Sequence, residues 1–172
     1  MTGDLTEKVM GSQGKIESLL NKVPGYGGYR QKELRRDADK LLRMQVAGRF
    51  REQLQRLGDL QFALTEQGDL KGMMVLERAA LKLQMLIDRL RTASYGYSGL
   101  FDAVKVDDEA LEALYDFDLA MLDGVDRVAQ ELDRLSAWMD SGEAVGSEGN
   151  AIVRIVDELN TTFGHRQDVL LG

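Results

Sequence analysis

The sequence predicts an all-α protein, an antiparallel bundle of four main helices with a shorter helix at its N-terminus. Three observations lead there. The 172 residues contain a single proline. Apolar residues return every three or four positions along the long stretches, the period of a helix with one buried face. Between those stretches lie short Gly-rich breaks, at 23–28, 68–69, 95–99 and 140–150. A chain of this length can bury a proper core, and residues 1–172 are read as one domain.

The first segment, about 5–22, carries Val9, Ile16, Leu19 and Leu20. Gly11 and Gly14 each weaken a helix by about 1 kcal/mol, which favours fraying in its first half. Pro24 and Gly25 end it. The second segment starts near Tyr29 or Arg30, with Leu34, Ala38, Leu42, Val46, Phe50, Leu54, Leu57, Leu60 and Leu64 in one stripe. Gly48 and Gly58 interrupt it, as expected for a bend or a close approach. Gly68-Asp69 supplies a stop and then a cap. Such a short connection makes the flanking helices an αα-hairpin.

The third segment, about 70–94, has Leu70, Met73, Leu76, Ala80, Leu83, Ile87 and Leu90 on one side. Met74, Leu81, Met85 and Leu86 widen that side, so this helix is expected to be the most buried. The fourth segment opens on Asp107, Asp108 and Glu109, anions that suit a helix N-terminus. Leu111, Leu114, Asp118, Met121, Val125, Val128, Leu132, Leu135 and Met139 then alternate by three and four, as in a coiled coil. Residues 140–150 read as a flexible loop. The last helix, about 151–170, uses Ile152, Ile155, Val156, Leu159, Phe163 and Leu170.

Composition removes several chemistries. There is no cysteine, hence no disulfide, thiolate metal site or cysteine nucleophile. His165 is the single histidine. No Glu-x-x-His occurs, which argues against a ferritin-like di-iron centre. No run of about 18 apolar residues is present, and the first residues lack the basic and apolar regions of a signal peptide. A cytoplasmic location is the expectation. The net charge of −7 is unevenly spread. Lys and Arg outnumber Asp and Glu by 12 to 7 over residues 1–56, match them at 6 and 6 over 57–106, and fall to 4 against 16 over 107–172. Either these halves face each other within a fold or oligomer, or each meets a charged partner. The first needs no further molecule.

Four of the five tyrosines lie in two Gly-rich loops, Val23–Tyr29 and Tyr95–Phe101. Such loops suit stacking or partner contact. The plainer reading has the rings capping the bundle ends. The first loop precedes a basic row of Lys32, Arg36, Lys40 and Arg43 on one helix face, but no phosphate-binding motif is present. Residues expected to touch a partner or ligand are Tyr26, Tyr29, Arg36, Lys40, Arg43, Tyr95 and Tyr97. The second and third helices differ in length by roughly 20 Å at ~1.5 Å per residue. The two loops therefore do not meet in a straight hairpin.

Asp118 stands where the fourth helix calls for an apolar side chain. A buried carboxylate must be paired or protonated, and Arg36 or Arg43 would serve. In that role it sets register. The other readings of Asp118 are a metal ligand together with Glu112 or Asp116, or a solvated position. Nucleic acid and membrane are both disfavoured as partners, because the chain is acidic and its first apolar face is short. The sequence thus points to a non-enzymatic helical interaction or scaffold protein, without cofactor, that self-associates or binds a protein partner. The alternative is a bundle that binds a small ligand or divalent metal near the Tyr-Gly loops.

Overall fold

The structure is a computed structural model. It describes the backbone of residues 27–93 and 108–171, and the side chains of 40–93, 116, 117 and 119–166. Four helices follow one another: α1 (Gly27–Gln67), α2 (Leu70–Thr92), α3 (Asp108–Asp140) and α4 (Gly146–Leu171). The helix expected at 5–22 lies outside the described residues. The chain divides into two compact units, residues 1–41 and 42–172. In the first, α1 begins at Gly27, and Lys40 and Leu41 are both exposed. The second is a helical bundle.

Each described helix break has a local cause. After α1, Gly68 takes φ 74°, a left-handed value that glycine adopts without a Cβ penalty. Asp69 then caps α2, its Oδ1 accepting from the Gly72 N–H at 2.9 Å. An Asp69→Ala variant is expected to lose about 0.5–2 kcal/mol of unfolding free energy, read from a urea melt. No loss would mean that the cap does not form. After α3, Gly142 takes φ 79° and its N–H bonds Met139 O at 3.0 Å. The Trp138 indole donates to Ala144 O at 3.3 Å across this turn.

The connection expected at 140–150 is shorter than that, because α4 begins at Gly146. Packing explains the difference. Val145 is buried, and a Cβ on Gly149 would stand 2.9 Å from Val75 Cγ1 and 3.3 Å from Leu76 Cδ2. The glycine lets α4 press against α2, and this tertiary contact outweighs the poor helix propensity of Gly-Ser-Glu-Gly. Gly48 and Gly58 behave oppositely. Nothing lies within 4 Å of a Cβ on either, so they serve no close approach.

The core joins all four helices. It holds Val46, Ala47, Phe50, Leu57 and Leu64 of α1, and Leu76, Leu83, Leu86, Ile87 and Leu90 of α2. From α3 come Met121, Val125, Val128, Leu132, Leu135 and Met139, every described apolar member of the expected heptad row. From α4 come Ile152, Val153, Val156, Leu159 and Phe163.

One expectation about burial needs correction. Leu70, Met74, Leu81 and Met85 are 64, 68, 67 and 48% exposed. The apolar arc of α2 is wider than the arc its neighbours cover. Its buried side is Leu76, Ala79, Leu83, Leu86, Ile87 and Leu90.

Charge pairs give the helix order. Arg49 bonds Asp126 at 2.9 Å and Arg56 bonds Asp133, so α1 and α3 lie side by side and advance together. Lys82 pairs with Asp157, and Arg78 with Asn150 at 2.7 Å, which places α2 beside α4 in the same sense. Arg127 and Glu158 link α3 to α4 at 2.7 Å. Two of the early arginines, Arg49 and Arg56, thus meet acidic residues of α3 within the fold. Exposed pairs of this kind contribute about 0–1 kcal/mol each, so they fix alignment more than they stabilise.

Candidate functional site

One connected set of polar groups lies where α2 meets α4, centred on the buried Asn160. Asn160 follows Leu159 in α4 and falls four residues after Val156, on the core side. Its Nδ2 donates to Val156 O at 3.0 Å and to Lys82 O at 3.1 Å. Arg89 Nη1 donates to Asn160 O at 2.7 Å and to its Oδ1 at 3.2 Å. The Arg89 guanidinium also lies 5.2 Å from the Phe163 ring centre, and the buried Arg166 lies 6.0 Å from it. Two cations flanking one ring gain from its quadrupole. The amide is satisfied by protein groups, and a satisfied buried network specifies one alignment of its helices. This is a clamp between α2 and α4. Sequence reasoning passed over it, although Asn160 at a core position between Val156 and Phe163 was its signal.

The sequence candidates scatter. Arg43 is buried at 4% exposure, and its Nη1 reaches Leu90 O at 3.5 Å. It therefore leaves the expected basic row and serves the interior. Lys40 is exposed. Tyr29 and Arg36 belong to α1, but their side chains lie outside the described residues, as do Tyr26, Tyr95 and Tyr97 altogether. Glu112 and Asp118 belong to α3 with side chains likewise outside, while Asp116 is exposed. Among the described residues, no group of three or more His, Asp or Glu side chains is placed to hold a metal ion.

What remains is a surface. On α2, Leu70, Met74, Leu81 and Met85 recur at intervals of four, seven and four. At about 100° per residue they occupy roughly 60° of arc and a row about 22 Å long. Glu77 and Arg78 sit midway and are also exposed. Single exposed leucines are ordinary, whereas four large apolar side chains on one exposed helix face, here as two pairs separated by Glu77 and Arg78, suit a contact surface. No helix among the described residues is long and apolar enough to cross a membrane. Compared with family models, curated proteins and solved structures, the chain matches none of them.

Proposed function

We propose that this chain is a non-enzymatic helical interaction protein of the cytoplasm that acts by self-association or by binding a protein partner. The exposed apolar row on α2 carries the reading. Water-exposed Leu and Met side chains lose about 25 cal/mol per Å² of favourable burial, and a facing helix would restore it. We further propose an antiparallel bundle of four main helices with a shorter helix at its start; the like direction of α1 with α3 and of α2 with α4 supports it.

Size-exclusion chromatography with light scattering, at low and high salt, tests this. A mass above that of one chain at both salt levels is expected, because apolar contacts are not screened by ions while surface charge pairs are. A strict monomer that retains no partner in pull-down would sink the reading.

A further inference from the structure

We propose that the partner of α2 is α2 of a second copy, packed parallel and in register about a two-fold axis that runs along the helices. The proposal deepens the self-association reading and rests on it. Its basis is an eleven-residue repeat in the exposed face. Leu70 and Met74 return as Leu81 and Met85, and Glu77-Arg78 returns as Asp88-Arg89. Eleven residues make three helical turns and about 20° more. The two halves of the row therefore lie nearly one above the other, and two such helices can run side by side with only a slight right-handed supercoil.

Around the helix, Glu77 and Asp88 stand about 40° to one side of the row, and Arg78 and Arg89 about 60° to the other. The row thus has an acidic edge and a basic edge. The basic edge is the one beside α4, where Arg78 donates to Asn150 and Lys82 pairs with Asp157. A two-fold axis along the helix sets each edge against the opposite edge of the second copy, at the same height. Glu77 then meets Arg78 of the second copy, and Arg78 meets its Glu77. Asp88 and Arg89 repeat this more weakly, because Arg89 is half-buried and turned to Asn160. Leu70, Met74, Leu81 and Met85, all exposed in the single chain, each meet their own copy. Arg91 lies about 100° from the row and stays outside the contact.

The antiparallel two-fold fares worse. It keeps each edge on its own side, so Glu77 would lie against Glu77 and Arg78 against Arg78, and like charges across an interface oppose association. A closed two-fold contact uses the same patch on both copies and must be self-complementary. In the parallel sense this face meets that condition in its apolar layers and in its charges, and edge charges of this kind set the direction of paired helices. A contact through one helix is at the small end of specific interfaces, so the dimer should dissociate on dilution.

Sedimentation equilibrium of the full chain over a range of concentrations reads the dimer, and oxidative cross-linking reads its direction, with circular dichroism to verify folding of each variant. The wild type is expected to be dimeric at high concentration. Met74→Glu with Leu81→Glu should raise its dissociation constant by about tenfold or more. Glu77→Arg alone and Arg78→Glu alone should each weaken the dimer, and the two together should restore it, because the swap regenerates both opposite-charge pairs. The chain contains no cysteine, so a Met74→Cys variant has a single thiol. On oxidation with copper-phenanthroline it should run as a cross-linked dimer on a non-reducing gel. In an antiparallel pair centred on the row, residue 74 would face residue 81, about 10 Å along the helix from its own copy, beyond what a disulfide spans. Leu119→Glu, at an exposed apolar position on α3, should leave the dimer unchanged.

A dimer insensitive to Met74→Glu with Leu81→Glu overturns this interface while self-association stands. So does a dimer equally sensitive to Leu119→Glu, not restored by the charge swap, or not cross-linked at residue 74. A wild type monomeric up to about 1 mM overturns both the interface and self-association. In that case a fall in Tm on Met74→Glu would point to a segment of the same chain covering the row.

Discussion

Phe50→Ala is expected to lower the unfolding free energy by about 3–5 kcal/mol. Phe50 has 0% exposure and belongs to the core that joins all four helices. Truncation removes a large apolar surface and leaves a cavity whose walls cannot fully collapse. The measurement is a urea titration. The midpoint should fall with little change in slope, since the same surface is exposed on unfolding. A loss below about 1 kcal/mol would mean that α1 does not pack on the bundle as described.

Gly124→Val is expected to cost about 1–3 kcal/mol. A Cβ at Gly124 would stand 2.3 Å from Leu159 Cδ2 and 3.0 Å from its Cδ1. Leu159 is itself buried, so the packed core around it must absorb any shift of its side chain. The better helix propensity of valine returns only a few tenths of a kcal/mol. Combining Gly124→Val with Leu159→Ala should recover part of the loss, a coupling that a double-mutant cycle measures. Gly58→Ala provides the contrast. Nothing lies near its Cβ position, so the gain of about 1 kcal/mol from helix propensity should appear undiminished. Equal losses at both glycines would show that helix approach is not what constrains Gly124.

The two glycines also show what the sequence could convey. Gly58 and Gly124 are both helical and both flanked by apolar stripes, yet one faces solvent and the other a neighbouring leucine. That difference is made by a residue 35 positions away in α4, which local pattern does not report. Where the cause was local, the reading held. Gly68 and Asp69 end one helix and start the next because a left-handed φ and a short carboxylate do that work on their own. Gly146 misled, because its helix is held by Val145 and Gly149 against α2. On the surface, the expectation that Met74, Leu81 and Met85 would be buried followed from their apolarity. Periodicity gives the width of an apolar arc but not how many neighbours cover it. The Tyr-Gly loops drew attention through composition, whereas the row on α2 shows only once its neighbours are in place.

The side-by-side arrangement of α2 with α4 has a consequence for the growing chain. Their bonded partners are 71 to 78 residues apart, from Arg89 with Asn160 to Asn160 with Lys82. At roughly 5–20 residues per second, α2 therefore leaves the ribosome about 4–15 seconds before α4 exists to cover it. During that interval Leu76, Leu83 and Ile87 lack the α4 side chains that later cover them. The contacts that bury this face of α2 thus wait until the last helix has been made.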